Sequence, residues 1–477
     1  MTACFALLVT LAAAGSGNGV TLRPCPAASE QPSGALCGQV SVPEDRGVKG
    51  GRQIALSVVV LPSRSAAGKS DPVFGLAGGP GIGATRLAVS YPRLYDMLQN
   101  DHDIVLVDQR GTGDSNPLVC GVDLSKNPGR VLDEWPDDKA LTECRDRLTK
   151  TADLRQYTTS AAVDDLEAVR QALGYEKIDL LGISYGTRVA LEYVRRYTAR
   201  VRTMALNGVF SPAYRVGLNG PRESQQALQN LFGLCARDAA CSGAFPRLAD
   251  DFATVTTALE KAPAAATLPL AEGQPPMKVA ISRRVFAREL GQMLLMRDDL
   301  TAVPLVIHAA AVGDYVPFAG LAIMRQLARN PPADGAALSV LCSDGGSPMN
   351  AADLTAATRG TFQRDDRAQF LKHACAIWPR AAGAALSATP VRAVTPALLI
   401  SGALDPIVPQ TYAAEVAKGL PNSLHVTVAN VAHVPANPCV HGMLAAFLKS
   451  GTTNGLETGC AAGIPPLKFV TSLPKVQ

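Results

Sequence analysis

Lys177-Ile-Asp-Leu-Leu-Gly-Ile-Ser-Tyr-Gly-Thr187 decides the reading of this chain. Residues 177–183 form a short apolar run of the kind that makes a buried strand. The run enters a Gly-x-Ser-x-Gly turn at Gly182, Ser184 and Gly186, and a helical pattern follows at once, with Val189, Ala190, Leu191, Tyr193 and Val194 on one face. In a chain with 42 glycines the pentapeptide alone decides little. Strand, tight turn and helix in immediate succession is the setting that a nucleophile elbow requires. The two glycines let backbone segments pass close to a serine held under strain at the tip of the turn. The serine oxygen then leaves the sheet, and the N–H of Tyr185 faces the same space. A plain structural turn is the competing reading.

Outward from the elbow, β-rich runs alternate with helical patterns. Ile54-Ala-Leu-Ser-Val-Val-Val-Leu61, Pro72-Val-Phe-Gly-Leu-Ala77, Asp103-Ile-Val-Leu-Val-Asp108 and Val201-Arg-Thr-Met-Ala-Leu206 read as strands. Val163, Leu166, Val169 and Leu173 form one helical face that ends at Gly174, a C-cap signal. The alternation predicts an α/β fold with a mostly parallel central sheet. From 211 to 389 helical patterns dominate, alanine is frequent, strand signals nearly vanish, and proline joints fall at Pro275-Pro276 and Pro331-Pro332. Sheet patterns return at Pro396-Ala-Leu-Leu-Ile-Ser-Gly402 and Leu424-His-Val-Thr-Val428, and a last helix carries Met443, Leu444, Phe447 and Leu448. The expected division is an export leader over 1–20, a core over 21–210, a helical cap inserted over 211–390, and the rest of the core over 391–477.

With 477 residues, 47% hydrophobic and 18% charged, the chain has the composition of a well-packed globular protein. The net charge of +4 is scattered, with no basic run suited to nucleic acid. No segment is apolar for long enough to span a membrane. The start, Cys4-Phe-Ala-Leu-Leu-Val-Thr-Leu followed by Ala12-Ala13-Ala14, resembles a signal-peptide core and cleavage site, although no Lys or Arg precedes Arg23. A buried first helix is the alternative. Of eleven cysteines, loss of Cys4 with the leader leaves ten: Cys25, Cys37, Cys120, Cys144, Cys235, Cys241, Cys342, Cys375, Cys439 and Cys460. No Cys-x-x-Cys occurs, which argues against zinc or a thioredoxin-like role. Disulfides in an oxidising compartment, secreted or periplasmic, explain the set. Spacing leaves their connectivity open; pairing of sequential neighbours is the expectation.

A serine nucleophile needs a base and an acid that orients the base. On this fold class their chain order is serine, acid, histidine. Asp405, in Gly402-Ala-Leu-Asp-Pro406, directly follows a strand and lies at the same sheet edge as the elbow. His433, in Asn430-Val-Ala-His-Val-Pro435, follows the next strand. Of the other histidines, His441 is the main competitor, but it begins the last helix. Oxyanion donors are expected from the N–H of Tyr185 and from Gly78-Gly79-Pro80-Gly81, where Gly79 is preferred and Gly78 comes next. Gly79-Pro-Gly-Ile-Gly-Ala84 also fits a dinucleotide loop, but Pro92 falls where the crossover helix of that motif would run.

These residues together resemble the α/β-hydrolase family, in the branch that holds proline iminopeptidases and secreted bacterial tripeptidyl aminopeptidases. Gly78-Gly-Pro-Gly81 is similar to that branch's His-Gly-Gly-Pro-Gly loop, with Ala77 in place of the histidine. Asp108-Gln-Arg-Gly-Thr-Gly-Asp-Ser115 is similar to its Asp-Gln-Arg-Gly-x-Gly-x-Ser turn. Cys375-Ala-Ile-Trp-Pro379 and the Cys439/Cys460 pair look like the tripeptidyl subgroup, and Leu399-Ile-Ser-Gly-Ala-Leu-Asp-Pro-Ile-Val-Pro409 carries the acid onto Asp405.

The resemblance implies a serine exopeptidase that releases short peptides from free N-termini, needing no cofactor or metal. Such an enzyme must bind the substrate's α-ammonium, for which Glu223, Asp238, Asp298, Asp299 and Asp344 are candidate carboxylates. A carboxylesterase or lactonase with the same triad is the alternative enzyme, and a binding protein on an inactive hydrolase fold is the non-enzymatic one.

Overall fold

Central strands buried on both faces are mostly apolar along their length, and their side chains still alternate between faces. This computed structural model, which describes residues 20–65, 70–121, 128–269, 275–327, 333–345, 350–383 and 385–472, follows that rule. Residues 1–19 of the expected leader and the Pro331-Pro332 joint lie outside the described residues.

The described residues hold strands β1 (Arg23–Pro24), β2 (Leu36–Pro43), β3 (Gln53–Leu61), β4 (Ser70–Leu76), β5 (His102–Val107), β6 (Ile178–Ile183), β7 (Val201–Asn207), β8 (Ala264–Leu268), β9 (Met277–Ile281), β10 (Ala397–Gly402) and β11 (Ser423–Val428). Nine of them form one sheet in the order β1-β2-β3-β5-β4-β6-β7-β10-β11. Pairings from β5 through β11 are parallel, and those at the β1–β3 edge, including β3 with β5, are antiparallel. The register sets Leu180 opposite Met204 and Leu399 opposite Leu206.

Along β5, β6 and β10, Val105, Val107, Leu180 and Leu399 face one core, while Ile104, Leu106, Leu181, Leu398 and Ile400 face another. The helices Thr159–Ala172 and Tyr185–Tyr197 cover the first face through Val163, Leu166, Val169, Val189 and Tyr193. The helices Pro92–Leu98 and Pro438–Ser450 cover the second through Tyr95, Leu98, Met443, Leu444 and Phe447. Each such leucine or phenylalanine, withdrawn from water, contributes about 2–3 kcal/mol. Local chemistry sets the helix ends. Thr158 accepts from Ala161 N, Asn437 accepts from Val440 N ahead of Pro438, and Gly174 follows its helix at φ 74°.

A third core is built by helices between Gly220 and Leu327. Leu228, Leu231, Phe286, Leu290, Val303, Ile307 and Phe318 fill it, with Val131 and Leu132 entering from the body. The expectation that strands nearly vanish from this region needs correction. β8 and β9 form an antiparallel pair here, with Ala264 opposite Ile281 and Leu268 opposite Met277. The alanine-rich run 264–266 reads as helical, but its pairing with Val279 and Ile281 decides otherwise.

All five sequential cysteine pairs are bonded: 25–37, 120–144, 235–241, 342–375 and 439–460. Cys342–Cys375 ties the helix Asp334–Asp344 to the helix Asp366–Ile377. Among the described residues no helix is long and apolar enough to cross a membrane.

Candidate active site

Parallel strands end at a common edge, so the loops that follow β4, β6, β7, β10 and β11 gather there. Ser184 comes straight after β6 with φ 55° and ψ −122°, a sparsely populated conformation. Its N–H donates to Asn207 O at 2.8 Å, and its carbonyl accepts from Thr187 N at 2.9 Å and Thr187 Oγ1 at 2.7 Å. Gly186 cannot be enlarged, because a β-carbon there would sit 2.2 Å from the carbonyl oxygen of Leu76. The elbow is thus wedged between β4 and β7 and its serine is held outward.

The loops after β6, β10 and β11 bring together the three residues that the sequence reading grouped. His433 Nε2 lies 2.8 Å from Ser184 Oγ, and His433 Nδ1 lies 2.7 Å from Asp405 Oδ2. The other oxygen of Asp405 accepts from Ile407 N and Val408 N, both at 2.9 Å, so the carboxylate has no freedom to turn. Asp405 is 4% exposed. The backbone N–H of His433 donates to Leu295 O at 3.0 Å, which anchors the histidine loop to the helical insert. Gly208, after β7, lies against the imidazole ring.

The glycine loop after β4 stands beside the serine. A β-carbon at Gly78 would be 3.0 Å from Ser184 Cβ and 3.5 Å from Oγ, whereas one at Gly79 would meet Gly81 N. Tyr185 is the first residue of the helix Tyr185–Tyr197, where backbone N–H groups have no partner within the helix. The Asp108 turn supports the glycine loop: its carboxylate accepts from Thr85 N at 2.9 Å, Thr85 Oγ1 at 3.1 Å and Asp114 N at 3.0 Å. Burial raises the Asp108 carboxyl pKa against those bonds. Arg110 of the same turn is consumed internally by Asp165, at 2.6 and 2.7 Å.

His441, the competing base, takes no part in this chain of bonds among the described residues. Both its ring nitrogens are buried without a partner among the described residues, in a small cavity shared with Asn207, Val434 and Pro435. Burial lowers its pKa.

The carboxylate candidates disperse. Asp238 caps the helix Ala239–Ala244, accepting from Cys241 N. Asp298 and Asp299 lie in the first turn of the helix Arg297–Ala311. Asp344 is 5% exposed beneath the elbow helix, where Oδ2 accepts from Thr159 N at 3.1 Å; burial pushes its pKa up to about 6. Glu223 stands near the Asp405 loop, since the hydroxyl of adjacent Ser224 donates to Pro406 O at 3.1 Å. Tyr412 donates to Glu223 Oε1 at 2.6 Å, and Oε2 is buried without a partner among the described residues. Burial raises the Glu223 pKa. Sequence reasoning missed Gly208 and Leu295. No local motif marks either.

Residues 72–240 match the family profile described as alpha/beta hydrolase fold, and residues 362–460 match one described as TAP-like protein. The chain is 30% identical over 248 residues to "Serine protease Hip1" of Mycobacterium tuberculosis, covering 47% of this chain and 46% of that one. It is 28% identical over 219 residues to "Tripeptidyl aminopeptidase" of Streptomyces coelicolor, covering 42% and 40%. The matched stretch spans less than half the length of either relative. A solved proline iminopeptidase of Mycobacterium smegmatis aligns over 87% of this chain and 98% of its own, at TM-score 0.39 and 16% identity. Sheet order, elbow and the two profile matches agree: the chain has the α/β-hydrolase fold, with an α/β-hydrolase domain over 72–240 and a TAP-like domain over 362–460.

Proposed function

We propose that this protein is a serine exopeptidase that releases short peptides, such as tripeptides, from free N-termini. The observation that carries the reading is the continuous hydrogen-bonded line Asp405–His433–Ser184, at 2.7 and 2.8 Å. In it Ser184 Oγ attacks the substrate carbonyl while His433 Nε2 takes the proton. The N–H groups of Tyr185 and Gly79 receive the negative charge that develops on the carbonyl oxygen, each worth about 3 kcal/mol in the transition state. His433 then protonates the leaving amine, and water repeats the cycle on the acyl-enzyme. Asp405, held by two backbone donors, keeps the imidazole in the tautomer with Nδ1–H.

The peptidase reading draws on the similarity to proteins named as serine protease and tripeptidyl aminopeptidase. The helical insert supports the exopeptidase part: a cap over the catalytic edge admits a chain end and excludes a folded protein. Glu223 serves in this reading as the α-ammonium acceptor, because its free oxygen is the unfilled valence a cation satisfies. The five disulfides support export to an oxidising compartment, secreted or periplasmic. The test is hydrolysis of tripeptidyl amides with free N-termini, compared with their N-acetyl counterparts and with simple acyl esters. Preference for the free amine supports the exopeptidase; preference for blocked amides or esters replaces it with an esterase.

A further inference from the structure

Arg367 is a half-buried arginine in the helix Asp366–Ile377 that no carboxylate neutralises among the described residues. Its helix neighbours are both engaged elsewhere. Asp366 is bonded to Arg283 at 2.6 Å and also faces Arg284, and Asp365 accepts from Gln369 Nε2 at 2.8 Å. The ionisable groups that act on Arg367 are Tyr214 and the Arg288 guanidinium. Arg288 is itself paired with Glu289 at 2.9 Å and bound to the carbonyls of Val131 and Asp133, so it offers Arg367 only repulsion. Desolvation and that repulsion lower the Arg367 pKa.

What Arg367 does touch is an aromatic wall. Its guanidinium carbon lies 5.6 Å from the centre of the Phe370 ring, and Phe370 stacks on Trp135 at 5.0 Å and 27°. Phe370 and Trp135 are half-buried too. The helix that carries Arg367 also meets the segment leading from the catalytic loops. Ala368 packs against Gly217, in the segment that leads from Gly208 at the His433 ring. Tyr214 of that segment lies within electrostatic range of Asp405, Glu223 and Arg367 alike, and its carbonyl accepts from Arg188 of the elbow helix at 3.1 Å.

A planar cation without a counter-ion among the described residues, backed by stacked aromatic rings, is built to receive a carboxylate in its fork. We propose that Arg367 binds a carboxylate of the substrate, carried either by an acidic side chain or by the C-terminus of a short peptide. The proposal rests on the peptidase reading above and adds to it a second charged anchor, opposite in sign to Glu223.

The experiment compares kcat/KM on free-amine peptides that differ at one position as Glu or Gln, and on the same peptides with a free or amidated C-terminus. Wild-type enzyme should favour one carboxylate member of these pairs by about 10- to 100-fold. Arg367→Gln should bring that ratio to about one, and Arg367→Lys, which keeps the charge but loses the fork, should retain part of it. The Glu/Gln and acid/amide pairs tell which carboxylate is read. No preference in the wild type, or an equal loss by Arg367→Gln on both members of each pair, overturns the proposal. A parallel assay stands apart from peptide turnover. Carboxylate peptides should slow fluorophosphonate labelling of Ser184 in the wild type and not in Arg367→Gln. If no peptide is cleaved while this protection persists, the peptidase reading fails and the Arg367 assignment stands. If protection is the same in both proteins, the assignment fails.

Discussion

A β-carbon on Gly208 would stand 3.0 Å from Cε1 of the His433 imidazole and 3.4 Å from its Nδ1. The glycine therefore fixes where the ring can lie, and it does so at φ 72°, a conformation that alanine adopts only under strain. Gly208→Ala should push the ring off its line between Ser184 and Asp405. A displacement on the order of 1 Å costs about 100-fold in turnover. Steady-state kinetics beside a thermal melt tests this. The expected result is a loss of kcat well beyond any loss of folded protein, and wild-type kcat would show the ring to be free.

Asp405→Asn isolates the acid. The amide oxygen can still accept from Ile407 N and Val408 N, so the loop should keep its shape. The imidazole would lose its carboxylate and face the wrong tautomer, a loss of about 10⁴ in kcat. Ser184→Ala and His433→Ala should each cost about 10⁶, and the double variant no more, because the residues act as a unit. Additive losses in the double variant would argue that they work separately.

Glu223→Gln removes a charge from a half-buried side chain whose Oε2 is buried without a partner among the described residues. KM for free-amine peptides should rise about 10-fold or more, while N-acetylated peptides should barely respond. Burial raises this carboxyl's pKa, so the wild-type preference for free amines should fade as the medium is acidified and the group takes up a proton. A KM that rises equally for both substrate types would reassign Glu223 to structure.

Asp344 sets a stability signature. Its pKa is pushed up to about 6, first by burial, against the hydrogen bonds from Thr159 and the nearby Arg188 charge. Glu192 adds to the rise. Between the ordinary carboxylate value and 6, the folded chain holds a proton that the unfolded chain releases. Stability therefore falls as pH rises through that window and the loss is complete above it. The shift corresponds to roughly 3 kcal/mol at most. Asp344→Asn should flatten this part of the profile in denaturant titrations between about pH 4 and pH 7. An unchanged slope would mean that Asp344 is not its source.

The sheet and the elbow were legible because parallel strands buried on both faces are written as apolar runs, and β5, β6 and β10 are buried throughout. Strand β2, next to the short edge strand β1, was not read, since Cys37, Gly38, Gln39 and Ser41 keep partial or full exposure and blur the alternation. The β8–β9 pair was hidden by alanine, whose local preference for helix yields to cross-strand packing. The positions of Ser184, Asp405 and His433 follow from where each stands after its strand. Arg367 could not be found that way. In Asp365-Asp366-Arg367 it reads as a solvated charge run, and only the directions taken by the two aspartates leave the arginine without a carboxylate among the described residues.

The most direct measurement is intact-mass analysis and peptide mapping after treatment with a fluorophosphonate. A single adduct on Ser184, absent from Ser184→Ala and slowed at least 100-fold in His433→Ala, is what a serine activated by that imidazole predicts. No adduct on folded protein, or equal labelling with and without the imidazole, would contradict the account at its centre.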